Sequence, residues 1–106
     1  MITDEQVEAA VDYLRDNARK VAVAKGQSQY MDDFTKVVRA KIMRENPDKP
    51  LGVQEAIANS DQRFDAHIKA KATSVEEYEY LRWMMEAAQS KIDVWRTQSS
   101  NQRKGM

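Results

Sequence analysis

Residues 46–52 read Asn46-Pro47-Asp48-Lys49-Pro50-Leu51-Gly52. A proline has no amide proton for a helix interior, and it pushes the residue before it out of the helical region. Two prolines and a glycine this close together stop any helix. No other stretch is broken in this way, since the 106-residue chain has only three glycines and two prolines. Its abundant Ala, Glu, Lys, Arg and Gln are good helix formers. The chain therefore divides into one long helical stretch before the break and another after it, and its length suggests a single domain.

Upstream of the break, the pattern predicts one continuous or gently kinked helix over residues 4–45. Thr3 and Gln6 have the spacing of a capping box, and Ile2 and Val7 that of a hydrophobic staple. Asp4 and Glu5 fall where the helix dipole favours negative charge. Val7, Ala10, Leu14, Val21, Ala24, Met31, Val38 and Ile42 recur at heptad spacing, with Asn17, Ser28 and Thr35 as polar members of the same seam. Such a seam packs in the manner of a coiled coil. Gly26 costs up to about 1 kcal/mol in a helix relative to Ala. It implies either a break or a close approach by another backbone, and the unbroken heptad phase favours continuity.

Downstream, Val53 to Ala58 allows a short helical segment, and Asn59-Ser60-Asp61 resembles a helix start. Phe64, Ile68, Ala72 and Val75 share a helical face. Thr73-Ser74 allows two readings: a restart, with Ser74 and Glu77 as a second capping box, or the interior of one long helix. In the last helix, Tyr78, Leu81, Met85, Ala88, Ile92 and Trp95 form a heptad seam. Tyr80, Trp83, Met84, Ala87 and Val94 widen the apolar surface beyond it. The expected fold is all-α: two long helices in an antiparallel hairpin with short helical segments between them. Residues 1–98 form the helical domain and residues 99–106 a flexible polar tail. A helix of 40 residues spans about 60 Å and encloses little core with one partner, so dimerisation into a bundle is expected to complete it.

Composition narrows the function. The 17 basic and 17 acidic residues cancel, which argues against bulk attraction to nucleic acid or acidic membranes. Residues 1–45 hold eight of each sign, with acids toward the start and bases from Lys36 to Arg44. The chain has no cysteine, which removes disulfides, thiolate catalysis and cysteine metal sites. No apolar run reaches the roughly 18 residues of a membrane span. The acidic N-terminus does not read as a signal peptide, and a cytoplasmic location is expected.

Candidate chemistry is sparse. His67 is the only histidine, and no second histidine or Glu-x-x-His pair completes a metal set. It reads as a structural or surface residue. Asp4, Glu8, Asp12 and Asp16 share a face, but hard cations want ligands converging from several directions, so the ladder reads as a solvated acidic face. Lys36, Arg39, Lys41 and Arg44, with Arg63, Lys69 and Lys71, form the candidate contact set for nucleic acid or a protein partner. Trp83 and Trp95 read as core or interface anchors. No phosphate loop, nucleophile elbow or paired-carboxylate motif is present. No enzymatic activity, metal or cofactor is expected.

Three segments carry a resemblance: Tyr13-Leu14-Arg15-Asp16-Asn17-Ala18; Gln54-Glu55-Ala56; and Leu81-Arg82-Trp83 with Ala87-Ala88-Gln89-Ser90-Lys91-Ile92-Asp93-Val94-Trp95-Arg96-Thr97-Gln98. With these the chain resembles a group of small bacteriophage and prophage proteins encoded near recombination and single-strand-annealing functions. The likeness covers almost the whole chain, and residues 81–98 are its distinctive part. Ala56-Ile57-Ala58-Asn59 departs from the more charged, tyrosine-containing stretch expected there. The resemblance implies an accessory role in phage DNA recombination or replication, through protein contacts with or without single-stranded DNA, and supplies no catalytic residue. The alternative is a phage inhibitor of a host nuclease or defence complex. Self-association as a homodimer is expected through the last helix, with Leu81, Trp83, Met84, Met85, Ile92 and Trp95 as its candidate residues.

Overall fold

The computed structural model describes residues 1–105. The protein is all-helical, with α1 (Asp4–Arg44), α2 (Leu51–Ser60) and α3 (Gln62–Lys104), and no strand among the described residues.

α1 starts on the expected capping box. Thr3 N–H donates to Gln6 Oε1 at 2.9 Å, and Gln6 N–H donates to Thr3 Oγ1 at 3.1 Å. Two amides that a helix start leaves orphaned are thus satisfied reciprocally. The helix runs unbroken through Gly26, where a Cβ would meet nothing within 4 Å. Neither a break nor a close backbone approach explains this glycine. α1 ends on tightened bonds from Glu45 N–H to Ile42 O and from Asn46 N–H to Met43 O, both 3.1 Å. Asn46 Nδ2 also donates to Ile42 O.

The Pro47–Pro50 segment turns the chain into α2, which extends beyond the expected Val53–Ala58 stretch at both ends. No side chain caps α2. Instead Gln54 Nε2 donates back to Asn46 O and Lys49 O, each at 2.9 Å, pinning the turn. Asp61 alone separates α2 from α3. Its backbone is extended, and its Oδ1 accepts from Arg63 N–H at 2.7 Å. α3 then passes through Thr73-Ser74 without interruption, so the long-helix reading is the one adopted there. Thr73 Oγ1 donates to Lys69 O one turn back. The helix continues past Gln98 to Lys104, so residues 99–104 are helical.

The chain forms two compact units. The first joins Met1–Val23 to the chain from Glu79 onward. Here α1 and α3 run antiparallel: Ile2 N–H donates to Gln98 Oε1 at 3.2 Å, and Trp95 Nε1–H donates to Asp4 Oδ1 at 2.9 Å. Ala10, Ala88 and Ile92 form its buried cluster, with Val7, Tyr13 and Leu14 packed against it. Leu81 is buried as well.

The second unit is Ala24–Tyr78. Ile42 of α1, Ala58 of α2 and His67 of α3 are its buried residues. Again α1 and α3 run antiparallel, with Asp32 bound to Lys71 at one level and Glu45 to Arg63 at another. Both cores are thin, because three of the six buried apolar side chains among the described residues are alanines.

Candidate partner-binding surfaces

α3 in the first unit carries two apolar stripes. At 100° per residue, Leu81, Met85, Ala88, Ile92 and Trp95 cluster about one direction, the side that meets α1. Leu81, Ala88 and Ile92 are buried there, and Met85 and Trp95 are half-buried. Tyr80, Met84, Ala87, Lys91 and Val94 lie within an arc of about 80°, centred about 100° away from the first stripe. Trp83 flanks them. This second stripe is open: Tyr80 is 62% exposed, Trp83 59%, Val94 46% and Met84 38%. The Arg82 guanidinium lies 5.2 Å from the Trp83 ring centre, which occupies one indole face. Beside the stripe, Gln6, Ala9, Ala10 and Tyr13 of α1 and Met84, Ala87, Ala88 and Lys91 of α3 line a groove. Its alanines leave room for side chains from another element.

Of the six residues expected to self-associate, Leu81, Met85, Ile92 and Trp95 thus face their own α1. Trp83 and Met84 face outward. The sequence reading did not include Lys91 or α1's share of the groove. A lone lysine interrupts the second stripe, and hydrophobicity alone does not signal that its position continues the heptad.

The seven candidate basic residues divide. Arg63 reaches both oxygens of Glu45, at 2.6 and 2.7 Å, and both of Asp61, at 3.1 and 3.0 Å. The hydrogen bonds from this guanidinium hold the Glu45 and Asp61 carboxyls below their usual range, and Arg63 is itself shifted upward. Lys71 bonds to Asp32 at 2.7 Å, which likewise lowers Asp32. Lys69 pairs with Asp65 at 3.0 Å, and Arg39 approaches Glu55 at 4.0 Å. Lys36, Lys41 and Arg44 make no ion pair among the described residues. They border a strip of α1 with Val37 and Ala40. Lys41 also lies 5.4 Å from the Phe34 ring centre, and Phe34 stacks on Tyr30.

His67 is 8% exposed. Its Nε2 is 2.9 Å from Met31 O and 2.9 Å from Thr35 Oγ1. A carbonyl only accepts, so Nε2 carries the proton and shares it between these two oxygens. Thr35 Oγ1 donates in turn to Met31 O. His67 thereby ties α3 to α1 in the second unit. The acidic ladder is partly committed too: Asp4 accepts from Trp95, and Asp12 and Asp16 both pair with Arg15. Among the described residues no cluster of three metal-ligating side chains occurs, and no helix is long and apolar enough to cross a membrane.

No protein family, no curated protein and no solved structure matches this chain.

Proposed function

We propose that the protein is a non-enzymatic helical binding protein that works as a homodimer. The observation that carries this reading is the open apolar stripe of α3 on a chain with a thin core. An aromatic-rich surface of this kind is what binding partners cover. A second copy on the stripe completes a bundle from the α1 and α3 stretches of two first units. The resemblance in residues 81–98 supplies the setting, an accessory role in phage DNA recombination or replication within the host cytoplasm.

The partner-facing surface of this reading is the α1 strip around Val37 and Ala40, where Lys36, Lys41 and Arg44 make no ion pair among the described residues. Because the other four candidate bases are engaged by carboxylates, protein contact is favoured over extended DNA contact. Three phosphate contacts on single-stranded DNA give a slope of log K against log salt of about −2. Titration of single-stranded DNA at several salt concentrations measures it. A slope near −2, abolished by replacing Lys36, Lys41 and Arg44 with Ala, supports a direct contact. No binding at low salt leaves a protein partner alone. Capture of a purified phage annealing recombinase supports the accessory role. Capture and inactivation of a host nuclease instead supports the inhibitor reading.

A further inference from the structure

We infer that the groove between α1 and α3 in the second unit seats an acidic amphipathic helix of a partner protein, with carboxylates on the flank of that helix meeting Lys41 and Arg44. This deepens the partner-binding reading of the α1 strip and rests on it, and it does not depend on the homodimer. Met31, Phe34, Val38 and Ile42 of α1 form the bed of the groove with Ala66 and Ala70 of α3. Both alanines are exposed, so the groove is open along its α3 side. α2 does not cover it. α2 meets α1 through Asn46 and Arg39. Asn46 lies five residues from Lys41, and Arg39 five from Phe34, which is about 140° around the helix in each case. α2 thus takes one flank of the α1–α3 pair and leaves the groove flank free.

Charge identifies the occupant. Lys41 and Arg63 line the groove, and Lys36, Lys41 and Arg44 line the strip beside it, with no acidic residue in either lining. This is a local excess in a chain whose charges cancel. Glu45 and Asp61 already satisfy Arg63. Lys41, which the groove and the strip share, and Arg44, one turn on, make no ion pair among the described residues. An apolar bed with a basic rim is complementary to apolar side chains flanked by acids.

Shape selects a helix. From Met31 to Ile42 the groove follows α1 for eleven residues, about 16 Å or three helical turns. A helix laid in such a groove presents anchors at i, i+4 and i+7, and here it completes a four-helix bundle with α1, α2 and α3. Nucleic acid fits less well. The Phe34 ring is already engaged by Tyr30, stacked at 5.6 Å between centres, and by Lys41 at 5.4 Å. A base would have to displace them to stack there.

The test uses a fluorescein-labelled helical peptide of about four turns, with leucines along one face and glutamates beside them. Its control carries glutamine for glutamate. In fluorescence anisotropy with the full chain, the acidic peptide is expected to bind about tenfold more tightly than the control, the worth of two or three exposed ion pairs. Replacing Lys41 and Arg44 together with Gln should bring the two peptides to parity. Ala70→Gln, a helix-compatible change at an exposed position, should fill the bed and weaken both. An acidic peptide that fails to bind, binds no better than its control, or ignores Ala70→Gln overturns the groove site. The wider reading is judged separately, by capture of a protein partner or of single-stranded DNA that is lost when Lys36, Lys41 and Arg44 are replaced with Ala. Such capture, insensitive to Ala70→Gln, overturns the groove and leaves the strip standing. Capture that survives replacement of all three bases overturns both.

Discussion

Arg63 concentrates more of the polar organisation than any other residue. Its fork grips Glu45, just past the end of α1, and Asp61, the residue that caps α3. Bidentate geometry makes these strong charge-assisted bonds despite their exposure. They hold Glu45 and Asp61 below their usual range, and Lys71 does the same for Asp32. A carboxyl lowered in the folded state stabilises the fold above its unfolded value, and that contribution is lost as pH falls through the folded value. Denaturant midpoints are therefore expected to fall between pH 7 and pH 3. Arg63→Met should lower stability at pH 7 and flatten this acid dependence, and equal slopes for both proteins would contradict the assignment. His67 tests packing rather than charge. His67→Ala removes a buried ring and its link to Met31 O, with an expected loss of about 2 kcal/mol in chemical denaturation.

The helices show how far local chemistry reaches. Thr3→Ala removes half of a reciprocal cap that Thr3 and Gln6 announce by their spacing, and should cost about 1 kcal/mol in a thermal melt. Gly26→Ala should stabilise by up to about 1 kcal/mol, because the helix there is regular and a methyl meets no neighbour. A loss of stability on that change would mean the glycine answers a contact outside this chain. The two long helices and the break at Pro47–Pro50 were legible because proline, capping residues and heptads act locally. The extent of α2 was less so, since Gln54 defines its start through carbonyls on the preceding turn, a contact that spacing does not encode. The fate of the bases was hidden for a similar reason. Lys36 to Arg44 reads as one cluster along α1, but Arg39 is approached by Glu55, and Glu45 and Asp32, distant in sequence, engage Arg63 and Lys71. The α3 stripes were legible as too much apolar surface for one neighbour. Which stripe faces α1 followed only from the contacts of Ala10 and Asp4.

At the scale of the whole molecule, the buried set is small and alanine-rich, while Tyr80, Trp83, Met84 and Val94 stand in solvent. Burying that stripe against a second copy adds apolar contact that the single chain lacks. Trp83→Ala should then weaken association by about 2 kcal/mol, as the loss of a buried aromatic anchor does. The most direct measurement is sedimentation equilibrium of the unmodified protein and of Trp83→Ala at micromolar concentration. A dimer mass for the first, shifted toward monomer for the second, is the expected result. A clean monomer mass for the unmodified protein, with a cooperative melt independent of concentration, would contradict the account.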